Sequence, residues 1–228
     1  MPKALITGGS KGLGRALTLE LATRAWDVIV TARTPADVDS VVTAGAPRVR
    51  AIVGSVRNEE HRTRLAELAG GSLDLLVNNA SHLGPSPLAE VAEFSPDELH
   101  AVYDTNVVAP LALVGLLTPA LERAGGTVVN VSSDAGVEAY ETWGPYGSSK
   151  AALDHATAVL GKERPNLAVY AFDPGDMRTD MHQAAFPGED ISDRPAPESV
   201  VPALVSLIVS RPASGRYTIA DLASVVGR

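Results

Sequence analysis

Short aliphatic runs alternate along the chain with longer stretches whose apolar positions recur at helical spacing. Residues 3–7, 27–32 (DVIVTA), 49–54, 73–80, 127–133 and 167–173 read as strands, and 216–220 as a last one. Helical spacing runs over 13–25, 58–69, 95–124, 147–163 and 198–209. The helix at 95–124 opens with Ser95-Pro96-Asp97-Glu98, which supplies an N-cap, a proline at the first helical position and early acids. Strands rich in Val, Ile and Leu that alternate with helices predict an α/β fold. Its sheet is doubly wound and parallel, with helices on both faces, in one domain over 1–228. Residues 175–197 carry prolines and glycines without a clear period, and are predicted to form a mobile substrate loop or lid.

Composition removes several function classes. The 228 residues suffice for one sizeable core. A formal net charge of −8 argues against nucleic acid or an anionic membrane as the partner, though local charge can still receive a small anionic cofactor. With no cysteine, disulfides and thiolate chemistry are excluded, and a reducing cytoplasm fits. The opening MPKALITGG lacks the basic stretch and long apolar core of a signal peptide. The longest uncharged apolar run, 107–121, falls short of the roughly 20 residues a membrane span needs and contains Pro110 and Pro119. A buried helix is the better reading, so a cytoplasmic protein is expected. His61, His82, His100, His155 and His182 form no metal-ligand motif, and His61 and His100 fall on predicted surface helices.

After the first strand comes Thr7-Gly8-Gly9-Ser10-Lys11-Gly12-Leu13-Gly14. Glycines there let the backbone turn tightly and approach a pyrophosphate, toward which the following helix points its N–H groups. The spacing, Gly8-x3-Gly12-x-Gly14, differs from the common GxGxxG, and such a turn alone is a weak signal. The end of the second strand sharpens it. NAD sites place an acid there for the ribose 2′-OH, but here the chain reads Thr31-Ala32-Arg33. A guanidinium at Arg33, with Lys11 beside it, suits the 2′-phosphate of NADP(H).

Ser133 ends a strand at the carboxyl edge, where α/β folds hold ligands. Tyr146 and Lys150 lie four apart, hence on one face of a helix. A nearby ammonium favours a phenolate, so Lys150 is expected to lower the pKa of Tyr146 toward working pH. Asn106 is a polar residue within an apolar helix. Pro110, four positions on, has no N–H, so the Asn106 carbonyl loses its normal partner and is free for a water.

In order along the chain stand TGGSKGLG (7–14), NNA (78–80), Asn106, VSS ending at Ser133, YGSSK (146–150) and PGDMRT (174–179). With this set, and Ser133 thirteen positions before Tyr146, nearly the whole chain resembles the short-chain dehydrogenase/reductase family in its small single-domain form. The resemblance implies a Rossmann-type fold and an NADPH-dependent reduction of a ketone or aldehyde to an alcohol. Tyr146 would donate the proton, and Ser133 would hydrogen-bond the carbonyl oxygen. Lys150 would also hold the nicotinamide ribose, with Asn106 completing a proton relay through water. It further implies cofactor contacts from Gly8, Ser10, Lys11, Gly12, Leu13 and Gly14, from Arg33, Ser55 and Val56, from Asn79 and Ala80, and from Pro174, Gly175 and Thr179. Asn79 also reads as a structural tie between strands.

Two positions depart from that pattern. Ser55 stands where the family often has the Asp that contacts adenine, and Ser81 stands where NNA normally continues with Gly. His82, Asp134, Tyr140, Trp143, Met177 and Met181 are expected to wall the substrate pocket. Their mix of apolar surface and acids predicts a mid-sized, partly polar carbonyl compound. A homodimer or homotetramer, pairing helix 95–124 with helix 147–163, follows from the resemblance. The competing readings are an NADP-binding sensor without turnover, and an alcohol dehydrogenase working in the oxidative direction.

Overall fold

The computed structural model describes residues 1–226, so the last two positions of the predicted 1–228 domain lie outside the described residues. Seven strands, β1 (Lys3–Thr7), β2 (Asp27–Ala32), β3 (Val49–Val53), β4 (Leu75–Asn78), β5 (Thr127–Val131), β6 (Ala168–Asp173) and β7 (Gly215–Thr218), form one parallel sheet. Their order is β3-β2-β1-β4-β5-β6-β7, so the winding reverses between β1 and β4. That reversal opens a crevice at the carboxyl ends of the central strands.

Alternate residues of each strand serve opposite core layers. Ile6, Val30, Val77, Val129 and Phe172 face α1 (Gly12–Thr23), α2 (Pro35–Gly45) and α8 (Pro197–Ser210). Leu5, Ile29, Leu76, Val128 and Val169 face α3 (Glu59–Ala69) and, beyond a helical α4 (Pro96–Tyr103), α5 (Ala109–Ala124). Both faces of the sheet are buried, which is why its strands are apolar at nearly every position.

Several elements differ from expectation. The helix α2 occupies a segment to which the hydrophobic pattern assigns no element; Thr34 caps it by accepting from the Asp37 N–H at 3.3 Å, and Pro35 starts it. The predicted helix 95–124 is continuous, but a π turn at Asp104–Val108 separates α4 from α5, with the Ala109 N–H reaching back to the Asp104 carbonyl. Pro110 follows at once, so the wide turn sits where the N–H that would reach the Asn106 carbonyl is missing. The joined 29-residue helix is long and apolar enough to cross a membrane by length and composition. Here it is a core helix, with Leu113, Leu117 and Leu121 buried against the sheet. The segment 175–197 is not structureless: α7 (Asp180–Ala185) forms within it, capped by Thr179. Strand β7 stops at Thr218, and Ile219 begins α9 (Ile219–Val226). His61, expected on a surface, is buried: it packs on Gly54 and bonds Thr31 Oγ1 at 2.6 Å.

Candidate active site

The glycine turn leaves β1 at the point where the sheet reverses. Gly8 and Gly12 have φ of +63° and +50°, which disfavour any side chain. A Cβ on Gly14 would strike the Gly8 carbonyl, so only glycine lets α1 start this close to the turn. Asn79 holds the turn in shape: its Nδ2 donates to the Thr7 and Gly8 carbonyls, both at 3.0 Å. Thr7 Oγ1 in turn accepts from the backbone N–H groups of Asn79 and Ala80, also at 3.0 Å. Lys11 makes no side-chain cap and the first turn of α1 carries no acid, so the positive end of the helix is open to an anion. Ser10 and Leu13 are buried beneath the turn, and Thr179 lies against Gly12.

Beside this turn, Arg33 is exposed at the end of β2. Lys11 pairs with Asp37 at 3.4 Å. Asp37 was not foreseen, because it comes from the unpredicted α2. Its carboxyl is held below the usual range by its bond to Thr34 and then by Lys11 and Arg33. Ser55 half-caps the turn after β3, accepting from the Arg57 N–H at 3.3 Å, and Val56 is buried behind it.

At the ends of β5 and β6 the second group assembles. Helix α6 (Gly144–Glu163) carries Tyr146 and Lys150, which are 8 % and 2 % exposed. Lys150 Nζ donates to the Val131 carbonyl at 2.7 Å and lies 5.5 Å from the Tyr146 ring centroid. Asn78, Asn130 and Thr157 form a buried polar chain, with both bonds at 2.8 Å, that fixes α6 on the sheet. The expected lowering of the Tyr146 pKa is not found. Burial pushes the phenol up to about 12, the Ser81 and Ser133 hydroxyls pull it down as hydrogen-bond partners, and Asp173 and Asp134 push it further up. Burial lowers Lys150 to about 8, against Asp154 and Asp173, which raise it. Tyr146 is therefore protonated at neutral pH, the form a proton donor needs.

Ser81 is thus a site residue that sequence reading flagged only as a departure. Its neighbour in the network is Asn106, which is 1 % exposed. The Asn106 Oδ1 accepts from the His82 N–H at 2.8 Å and from Ser81 Oγ at 3.2 Å. Its Nδ2 donates to the His82 carbonyl and to Ser149 Oγ, both at 2.9 Å. The side chain thereby locks the 81–82 turn to the helix that bears Tyr146.

Trp143, Met181, Phe186, Leu83 and Leu88 gather around Tyr146 as an apolar cluster. Trp143 meets Tyr146 edge-on at 5.6 Å and Phe186 at 6.0 Å. Ser86 Oγ donates to the Ala184 carbonyl at 2.7 Å, docking α7 on the opposite loop. Asp134 and Tyr140 are exposed at the rim and bonded to each other at 3.1 Å. Met177 is elsewhere: it packs on the core layer that holds α1 and α8. His82 is half-buried, and its pKa is lowered by burial and then by Arg33 and Arg57, so it faces the cationic side of the crevice. Pro174 is buried, and Gly175, at φ +65°, donates its N–H to Asp173 Oδ1 at 2.9 Å. Among the described residues no His, Asp or Glu group has the form of a metal site.

The family model described as short chain dehydrogenase matches residues 2–190. An uncharacterized oxidoreductase of Saccharomyces cerevisiae is 34 % identical over 182 residues, covering 78 % of this chain and 71 % of its own. Benzil reductase ((S)-benzoin forming) of Bacillus subtilis is 33 % identical over 185 residues, covering 78 % and 75 %. A short chain dehydrogenase from Shigella flexneri, solved in complex with NADP, superposes with a TM-score of 0.87 at 27 % identity, covering 95 % of both chains. The class is that of an oxidoreductase. The chain belongs to the short-chain dehydrogenase/reductase family, and its fold is that family's Rossmann fold.

Proposed function

We propose that this protein reduces a ketone or aldehyde to the alcohol with NADPH, using Tyr146 as proton donor. The observation that carries this reading is a buried phenol kept protonated beside two hydroxyls, on the same sheet edge as an uncapped, glycine-lined helix start. The glycine turn fits a dinucleotide, since Gly8 and Gly12 hold a left-handed backbone and a Cβ on Gly14 would strike the turn itself, so only glycines keep this tight turn with bare backbone N–H groups for a pyrophosphate. Gly8 to Gly14, Asn79, Ala80, Pro174, Gly175 and Thr179 would hold it, with Ser55 and Val56 at the adenine. Arg33 and Lys11, with no acid at the end of β2, support NADP(H) over NAD(H). The NADP complex of the Shigella flexneri protein supports the same choice.

When bound, the reduced nicotinamide supplies the hydride that adds to the carbonyl carbon. Ser133 donates a hydrogen bond to the carbonyl oxygen and stabilises the charge that develops there. Tyr146 Oη gives its proton to that oxygen, and the resulting phenolate is stabilised by Ser81 and the Lys150 ammonium. Lys150 also holds the nicotinamide ribose, and the Asn106 carbonyl at the π turn accepts a hydrogen bond from a water through which solvent returns a proton toward Lys150 and Tyr146. Trp143, Met181 and Phe186 exclude water, while Asp134 and Tyr140 give the mouth polar character. That mixture suits a mid-sized, partly polar carbonyl compound, and the aryl diketone named in the Bacillus subtilis relative is a first probe. Exposed Leu99, Val108, Leu111, Leu116 and Val159 on the long helix and α6 support a homodimer or homotetramer. A chain without cysteine suits the cytoplasm.

The test is fluorescence titration with NADPH and NADH, followed by turnover on a carbonyl panel that includes benzil. Tighter NADPH binding is expected, with turnover lost by about 10²–10⁴-fold in Tyr146→Phe. Equal turnover by Tyr146→Phe, or tighter NADH binding, would overturn the reading.

A further inference from the structure

Behind Ser133 and Lys150 lies a charge cluster that the proposed reaction does not use. Arg216, on β7, donates from Nη2 to Asp173 Oδ2 at 2.8 Å and to the Ser133 carbonyl at 3.1 Å. Its Nε donates to Asp154 Oδ2 at 3.0 Å. Asp173 ends β6, immediately before Pro174-Gly175, and Asp154 lies one helical turn beyond Lys150 on α6. One guanidinium thus joins the ends of β5 and β6 to the catalytic helix. The side chains of Asp173 and Asp154 are only 7 % and 15 % exposed, so two carboxylates are buried beside one arginine and one lysine. The four formal charges sum to zero only with Arg216 present. Asp154 Oδ1 is buried without a hydrogen-bond partner, so the field of that carboxylate is not spent on a second contact.

We propose that Arg216 is a positioning residue, which anchors the Ser133 strand end and offsets one of the two charges of Asp154 and Asp173, so that Lys150 faces a single net negative charge. This rests on the proposed role of Lys150 in holding the cofactor ribose. Among the described residues, the charged and titratable groups facing Lys150 are Tyr146 and Asp154 on its own helix and Asp173 on β6, with Arg216 on β7 behind the two carboxylates and Asp134 after β5 acting on Tyr146. From the long helix, Tyr103 and Asp104 are engaged with Ser148 and Arg57. Asp154 and Asp173 both favour the ammonium, while burial opposes it. Removing Arg216 leaves Lys150 facing both carboxylate charges and raises the pH at which it loses its proton. Removing Asp154 acts in the opposite direction.

The experiment is NADPH affinity by fluorescence from pH 6 to 10 for the intact protein and for Arg216→Gln, Arg216→Lys, Asp154→Asn and Lys150→Met. The alkaline fall in affinity is expected to move up in Arg216→Gln, move down in Asp154→Asn, and stay near its original position in Arg216→Lys. A purely structural arginine would weaken folding without moving these midpoints in opposite directions. Thermal unfolding reports the folding of each variant; if Arg216→Gln does not fold, Arg216→Lys and Asp154→Asn still decide. The proposal is overturned if Asp154→Asn leaves the midpoint unmoved or raises it, or if Arg216→Gln folds and leaves it unmoved. If Lys150→Met binds NADPH like the intact protein at every pH, the underlying reading of Lys150 has failed instead.

Discussion

Replacing Asn106 with Ala removes an amide that makes four hydrogen bonds from a site with almost no solvent. Ser81 and Ser149 can rotate their hydroxyls, and Ser149 Oγ already donates to the Tyr146 carbonyl at 2.6 Å. The His82 N–H and carbonyl cannot rotate, and both lose their partner. A buried backbone group left unpaired costs about 1–3 kcal/mol. His82 is only half-buried and regains some water, so the two groups together cost about 2–3 kcal/mol. For a chain of this size that lowers the melting temperature by about 4–12 °C. Urea unfolding with an unchanged m-value would measure the same quantity. Ser149→Ala, which removes one partner, is expected to cost about 1 kcal/mol, and the double variant should cost less than the sum. An Asn106→Ala protein within about 0.5 kcal/mol of the parent would refute the view that this side chain locks the 81–82 turn to α6.

Other consequences can be checked on the same preparations. Arg33→Ala with Lys11→Ala should weaken NADPH by about a hundredfold or more while NADH changes little, since each of the two lost charge-assisted bonds costs about 1.5–3 kcal/mol; parallel losses for both cofactors would argue against a 2′-phosphate site. Asp37→Asn frees Lys11 from its ion pair and should strengthen NADPH by about two- to fivefold, the worth of an exposed pair. Lys150 titrates at about 8 in the folded protein against an ordinary 10.5. The unfolded chain therefore binds more protons between those values, and stability gains a rising component with pH there. Unfolding at pH 7.5 and 9.5 should show this rise in the parent and lose it in Lys150→Met; identical slopes would count against a buried, depressed lysine.

Much of the fold is legible in the chain because segments such as Leu75–Asn78 and Ala168–Asp173 are buried throughout, and no solvent-facing position interrupts their apolar runs. Helix α2 is not, because only Val41 and Gly45 on it are fully buried, so its apolar face is narrow; the Thr34-Pro35 start was its one clear signal. Helix α7 has six residues, too few to display a period. The glycine turn, Ser133, Tyr146 and Lys150 are readable because their spacing is local. Arg216, Asp173 and Asp154 are separated by 43 and 62 positions, and no local pattern joins them. The direction of the Tyr146 shift was missed for a different reason: sequence shows a neighbouring lysine but not the depth at which both are buried. Met177 packs on the core layer while Met181, four residues on, joins the cluster at Tyr146, a difference that adjacency in sequence does not show.

The π turn at Asp104–Val108 also governs how this gene can change length. A regular α-helix advances about 100° per residue, so one residue more or less rotates everything beyond it by that angle. The wide turn sets the phase between Asn106, which meets the 81–82 turn, and Leu113, Leu117 and Leu121, which meet the sheet. Deleting a single codon here would swing one of these faces away from its target, however conservative the remaining side chains. Indels in descendants of this chain should therefore accumulate in stretches such as 186–195, while 104–108 tolerates substitution but keeps its length.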